Sequence, residues 1–371
     1  MKIAHVFNLA NDAYAIVKAL RKNGLDAELI INSSAFGMGL PMWEDMEIEM
    51  DPYNIDIGEL LCKYDLPEWI KIWWSHSHYK LKSYFPTIPN LFKMTSGYDS
   101  FHCHAPSSMY LQFLGKPYIV HEAGWIRKLA RDNGSVEKLG RRSYARAKCI
   151  MMTNPDTYPL LYSIRHNREK FLPFVIDPEQ YKPGSVERRE NPLLFFHPAR
   201  HVWDVKGNDK LIHAFSSFIK EGYHATLRMV DWGWHEDTIK SKELVRNLKL
   251  EDHIEWVPPY SKPNLIKAYN ESDAVFDQFI VGSGGTGCFE ALSCSRPVAI
   301  YLNKWNQKCF GEMPPVENCF SIEEIYNAMI HFTDENYRRE LGRQGRKFVF
   351  RHNHPDIIAN ELIKLYEEVF N

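Results

Sequence analysis

Gly282-Ser283-Gly284-Gly285-Thr286-Gly287-Cys288-Phe289-Glu290-Ala291-Leu292 stands between the apolar run Ala274-Val275-Phe276 and the strand-like Pro297-Val298-Ala299-Ile300. That order reads as a buried strand, a glycine-rich turn and the first coil of a helix, the local plan of an α/β nucleotide site. Glycines let backbone amides come close to a bound group, and the helix start adds partial positive charge, so the turn suits a phosphate or diphosphate. Glu290 falls about one helical turn deeper, where a carboxylate can accept hydrogen bonds from ribose hydroxyls.

Working outward, strand and helix patterns alternate on both sides of an interruption. Lys2 to Phe7 is strand-like, Ala13 to Lys22 has helical spacing, Gly24 fits a helix stop and Ala27 to Ile31 is strand-like again. Further strands are expected at Tyr118 to Val120 and Ala147 to Met152, while Pro41 to Pro89 is dense in aromatic residues and resists assignment. The polar stretch Pro183 to Pro192 reads as an interdomain linker. Beyond it come strand Leu193 to Phe196, helix Asp209 to Lys220, strand Ala225 to Val230, helix Asp237 to Leu248, strand Ile254 to Trp256, helix Asn264 to Asn270 and strand Ala274 to Phe276. Three helical patterns, Ile322 to Phe332, Glu335 to Arg351 and Asp356 to Phe370, close the chain. This rhythm implies mostly parallel sheets covered by helices, with ligands at the C-terminal ends of the strands.

Composition narrows the function. The 371 residues, 44% hydrophobic and 25% charged, suffice for two cores. A net charge of -2 offers no global attraction to nucleic acid, so a nucleic-acid partner is not expected. No apolar run approaches the length of a membrane span, and the chain starts as a strand rather than as a signal peptide, which reads as a cytoplasmic protein. The seven cysteines include no CxxC pair, which speaks against a disulfide framework or structural zinc.

The second half resembles the nucleotide-binding domain of GT-B glycosyltransferases, specifically the large retaining family 4. The likeness rests on Phe196-His197-Pro198-Ala199-Arg200, then Lys206-Gly207, then Leu211-Ile212-His213-Ala214-Phe215. It continues through Glu290-Ala291-Leu292-Ser293-Cys294-Ser295-Arg296-Pro297-Val298 and Leu341-Gly342-Arg343-Gln344-Gly345-Arg346. It implies an α/β fold of two Rossmann-like doubly wound domains facing a cleft. Residues 1–185 would form the acceptor-side domain and 190–350 the nucleotide-sugar domain, with a C-terminal helix in 351–371 packing back on the first. By the same likeness Arg200 and Lys206 bind the donor diphosphate, and Gly282, Ser283, Gly284, Gly285, Thr286 and Glu290 complete the donor site. Two departures stand out. Family members carry a first loop acid where this chain has Gly282, and their N-terminal glycine loop is replaced by Asn8-Leu9-Ala10-Asn11. A family histidine following a Lys-Pro pair is matched by His121, given a shift in alignment, as a third catalytic candidate.

The resemblance implies transfer of a sugar from a UDP- or GDP-type donor to a glycan or lipid-linked acceptor, retaining and without a metal. Two other readings stay open: a sugar-nucleotide epimerase of the same fold, told apart by its product from donor alone, and a non-catalytic carbohydrate-binding scaffold, told apart by glycan binding without nucleotide binding. His102 and His104 share one face of a strand with no evident third ligand, so no metal site is expected. The basic run Arg127, Lys128, Arg131, Lys138, Arg141, Arg142, Arg146 and Lys148 reads first as a solvated helix face, with peripheral contact to an anionic lipid surface as its functional counterpart. Trp69, Trp73, Trp74, Tyr79 and Tyr84 read first as core, with sugar stacking as the alternative.

Overall fold

The computed structural model describes residues 1–33, 37–48, 56–74, 87–164, 168–184, 192–232 and 236–370. Most of the linker expected at Pro183 to Pro192, and the aromatic pair Tyr79 and Tyr84, lie outside them. The chain forms two compact units. The first comprises Met1–Met46, Asp51–Val175 and Pro355–Asn371; the second comprises Glu47–Met50 and Ile176–His354.

In the first unit seven strands form a parallel sheet: β1 (Ile3–Val6), β2 (Ala27–Asn32), β3 (Ile70–Trp73), β4 (Ser100–His104), β5 (Tyr118–Glu122), β6 (Ile150–Met152) and β7 (Glu169–Phe171). Their spatial order is β3-β2-β1-β4-β5-β6-β7, so the winding reverses between β1 and β4. One face carries the apolar core, with Ala4, Val6, Phe101, Cys103 and Val120 packed among Leu91, Tyr110, Leu129 and Tyr144. Alternation along the strands sends His5, His102, His104 and His121 to the opposite face, which is unusual for a sheet buried on both sides. The helix Pro355–Phe370 belongs to this unit and lies along the helix Asp12–Lys22.

The loop that stands in place of a glycine turn after β1 is built from asparagines. Ala10 and Asn11 take left-handed backbone angles, φ 49° and 60°, a conformation asparagine tolerates better than most residues. The side chain of Asn8 donates to Asn11 Oδ1 at 2.8 Å and to the Gly39 carbonyl at 2.8 Å, and Asn11 donates to the Leu40 carbonyl at 2.9 Å.

The second unit holds six parallel strands, β8 (Leu193–His197), β9 (Ala225–Val230), β10 (Ile254–Val257), β11 (Ala274–Phe276), β12 (Val298–Ile300) and β13 (Glu317–Asn318), ordered β10-β9-β8-β11-β12-β13. Its core follows from the apolar stripe Leu211, Ile212, Phe215 and Phe218 on the helix Asn208–Lys220, which meets Phe195, Leu227, Met229 and Phe276 of the sheet. Each such side chain stabilises the unit by roughly 1.5–3 kcal/mol through burial. The winding reverses between β8 and β11, so the loops after these two strands meet at the switch point where open α/β sheets bind ligands.

Close packing also positions the helix Thr286–Ser293 that follows the glycine turn. It lies against the helix Glu335–His352 through Gly342 and Gly345. A Cβ on Gly342 would strike the Ser295 backbone, and one on Gly345 would strike Leu292. Arg346 closes the same contact by donating to the carbonyls of Tyr181 at 3.1 Å and Ser293 at 2.5 Å.

Candidate functional site

The loops after β8 and β11 are bonded along their length. Phe279 N donates to the Lys206 carbonyl at 2.8 Å and Val281 N to the Val205 carbonyl at 3.3 Å. Gly207, at φ 69°, adopts a left-handed turn that starts the helix Asn208–Lys220, and a Cβ there would press on Phe279 and Ile280. Lys206 Nζ then donates to Gln278 Oε1 at 2.6 Å, and Gln278 Nε2 donates in turn to the Ser283 carbonyl. A cation from one loop is therefore tied, through one buried amide, to the glycine turn of the other.

At the far side of that turn, no side chain caps the helix that begins at Thr286 with Gly285 as its N-cap. Its first-turn amides and the positive end of its dipole are suited to an anion. A Cβ placed on Gly285 meets nothing within 4 Å, so space is open beside it. Beneath the loops the hydrogen-bond support is neutral. His197 Nδ1 donates to the Phe276 carbonyl at 2.6 Å and Nε2 accepts from Asn208 at 2.8 Å, and burial holds this imidazole down at about 3. Asp277 is buried, which pushes its carboxyl above the usual range against the opposing pull of Lys206.

Glu290, the expected ribose contact, is held by protein groups. Its carboxylate is 2% exposed as a residue and is engaged by two protein groups, Lys262 Nζ on Oε1 and the Tyr269 hydroxyl on Oε2 at 3.3 Å. The side chain of Lys262 is 13% exposed, so the pair has one edge open to solvent. Sequence reasoning did not single out Lys262, Tyr269 or Gln278. Lys262 and Glu290 are 28 residues apart on separate helices, a spacing that carries no local signal.

Gly282 has a steric reason. A Cβ at this position would lie 2.7 Å from Asn303 Cβ and 2.9 Å from Asn303 Nδ2. Its carbonyl accepts from Asn303 N at 3.0 Å and Asn306 Nδ2 at 2.8 Å. The space that the family's first loop acid would need is taken by Asn303. Gly282, Ser283, Gly284, Gly285, Thr286 and Lys206 are thus brought together, and Arg200 sits half-buried on the β8 loop, its carbonyl accepting from Asn208 Nδ2 at 3.3 Å.

His121 is not on this unit's loops. It lies on β5 of the first unit, fully buried, with Nε2 2.8 Å from Asp12 Oδ2 and Nδ1 3.1 Å from His102 Nε2. The expectation that His102 and His104 lack a third ligand is corrected. Parallel pairing sets His5 beside His102 and His104 beside His121, and the turn after β1 brings in Asp12. The pairing register joins residues far apart in the chain, which strand alternation alone does not show. Within the basic run Arg127 pairs with Asp156, Lys128 with Glu137 and Arg131 with Asp132. Trp73 is 1% exposed and stacks on Phe7 at 5.7 Å, as core packing expects, whereas Trp74 is exposed.

Residues 180–348 match the family model described as glycosyl transferases group 1. No curated protein matches the chain by sequence. Among solved structures, sucrose-phosphate synthase from Thermosynechococcus elongatus superposes with a TM-score of 0.73 at 15% identity, covering 100% of this chain and 99% of that one. HepE of Anabaena in complex with UDP-glucose gives 0.73 at 12% identity over 99% of this chain and 100% of its own. The pneumococcal O-GlcNAc transferase GtfA, in complex with UDP and GlcNAc, gives 0.67 at 12% identity over 100% and 99%. At these identities the superpositions establish the shared fold, and the family match covers the unit that carries the paired loops. Residues 180–348 thus form a glycosyl transferases group 1 domain, within a chain that has the two-sheet α/β fold of the glycosyltransferases it superposes on.

Proposed function

We propose that the chain transfers a sugar from a UDP- or GDP-type donor to a glycan or lipid-linked acceptor, with retention of configuration and without a metal ion on the diphosphate. The observation that carries this reading is the tether from Lys206 through Gln278 to Ser283, which ties an ammonium group to the glycine turn that precedes the uncapped helix Thr286–Ser293. As the sugar–phosphate bond breaks, negative charge builds on the leaving diphosphate. Fixed cations and amide dipoles lower that barrier because they are oriented before the reaction begins. In this reading Lys206 and Arg200 bind the diphosphate oxygens and the amides of Gly284 to Thr286 face it. Lys262 and Tyr269 orient Glu290, whose remaining lone pairs accept from the ribose. HepE and GtfA, whose structures hold UDP-glucose and UDP with GlcNAc, support a uridine donor. Peripheral contact with an anionic lipid surface would draw on the basic run, in which Arg127, Lys128 and Arg131 are paired with acids. Among the described residues no helix is long and apolar enough to cross a membrane.

The test is donor hydrolysis and transfer over a panel of nucleotide sugars, comparing the parent chain with Lys206→Ala and Glu290→Gln. Loss of one charge-assisted contact to the leaving group lowers kcat by roughly 10²–10³ in Lys206→Ala. Equal turnover in all three chains discards the assignment. EDTA leaves transfer unchanged if the diphosphate needs no ion.

A further inference from the structure

We propose that Asp12, His104 and His121 form a binding site for one first-row divalent metal ion of zinc type, enclosed within the first unit and separate from the donor loops. Their ligand atoms lie within 4.8 Å of one another and all three residues are buried. Two imidazole nitrogens and one carboxylate oxygen are a donor set such ions take.

The hydrogen bonds around the site favour an ion over an empty network. His5 and His102 each use both ring nitrogens. His5 Nδ1 faces His104 Nε2 at 3.2 Å and its Nε2 faces the Tyr366 hydroxyl at 3.2 Å; His102 Nδ1 faces the same hydroxyl at 2.6 Å and its Nε2 faces His121 Nδ1 at 3.1 Å. His121 Nε2 faces Asp12 Oδ2. The two atoms are 2.8 Å apart and buried, and neither has a hydrogen-bond partner. If the ring carries its proton on Nδ1, a lone pair and a carboxylate confront each other away from water, an arrangement that a cation between them stabilises. Placement of Asp12 in the first turn of its helix eases the carboxylate charge but does nothing for the imidazole lone pair.

The outer contacts have the form expected around a metal-bound histidine, whose second ring nitrogen is held by a hydrogen bond that orients the ring. Here His121 Nδ1 is held by His102, which is held by Tyr366 of the helix Pro355–Phe370. An ion on β4, β5 and the start of the helix Asp12–Lys22 would join three elements of this unit, and the carboxylate offsets one of its two charges. Its role is structural, since the site is sealed from solvent: Asp12 is 6% exposed, His104 3% and His121 0%.

The experiment uses the full chain, stripped with chelator and dialysed, then titrated with Zn²⁺ by calorimetry and with Co²⁺ by visible absorption. The variants are Asp12→Asn and His121→Gln, with His213→Gln on an exposed helix face as control. Expected are one equivalent per chain in the parent and in His213→Gln, a Co²⁺ ligand-field band, and a melting temperature raised by roughly 5–10 °C at a hundredfold excess over Kd. Both site variants lose the band and the shift. The proposal is overturned if the folded parent, judged by circular dichroism, takes up no stoichiometric ion, or if Asp12→Asn and His121→Gln bind it as the parent does. Should either variant fail to fold, the parent titration still decides.

Discussion

Replacing Gly282 by alanine tests whether the missing loop acid is a steric consequence of this fold. The added Cβ would start 2.7 Å from Asn303 Cβ, whereas carbon atoms prefer about 3.5–4.0 Å, so the two must separate by roughly 1 Å. Asn303 cannot yield by a side-chain rotation, because its own Cβ is the obstacle. Its backbone is tied to the Gly282 carbonyl at 3.0 Å, and its side chain caps the helix Lys304–Phe310 by accepting from Trp305 N at 3.0 Å. Overpacking of this kind costs about 1–3 kcal/mol, and a hydrogen bond lost in the adjustment adds about 1 kcal/mol. For a unit of this size that predicts a melting temperature lower by roughly 5–10 °C. The same shift displaces the Ser283 carbonyl that positions Gln278 and, through it, Lys206, so the KM for donor rises as well. Differential scanning calorimetry and donor kinetics on Gly282→Ala and Gly282→Ala/Asn303→Gly read both effects, with the second change relieving the first. A Gly282→Ala chain that melts within 1 °C of the parent, or a Gly282→Asp chain that is both as stable and more active, refutes the reasoning.

Acid sensitivity of the second unit follows from His197 and His201, held by burial at about 3 and about 4. Both folded values are depressed, so their stabilising effect is complete above the ordinary value near 6.5 and is lost as pH falls toward the folded values; between pH 7 and pH 5 the two together remove roughly 4 kcal/mol, measurable by urea unfolding. Opening the Lys262–Glu290 pair by Lys262→Met leaves a buried carboxylate and costs about 3–5 kcal/mol, while Lys262→Met/Glu290→Gln costs clearly less; equal losses in a double-mutant cycle contradict a coupled pair. Gly342→Ala drives a methyl group into the Ser295 backbone, 2.8 Å from its carbonyl carbon, and lowers stability by about 1–3 kcal/mol in chemical denaturation, with no effect expected from alanine at the open Gly222 beyond its φ of 91°.

Much of the architecture was legible as pattern. Strand Ala274–Phe276 and helix Thr286–Ser293 stand where the apolar run, the glycines and the following helix period put them, because backbone geometry and burial act over a few neighbouring residues. Lys206 and the glycine turn were also legible, through motif order along the chain, and the structure ties them together through Gln278. The edge strands Ile70–Trp73 and Glu169–Phe171 were not, since short segments beside loops carry too little periodicity to stand out.

By itself the sequence determined the parallel α/β class and the order of strand, glycine turn and helix around Gly282 to Leu292. Those properties come from local propensity and spacing, which a single chain displays directly. Only the tertiary structure decided that Glu290 faces Lys262 and Tyr269, that Asn303 occupies the space beside Gly282, and that four histidines from three strands converge with Asp12. Each of these depends on strand register or helix packing between residues distant in sequence, where the energy of close contact is set by positions that no local pattern encodes.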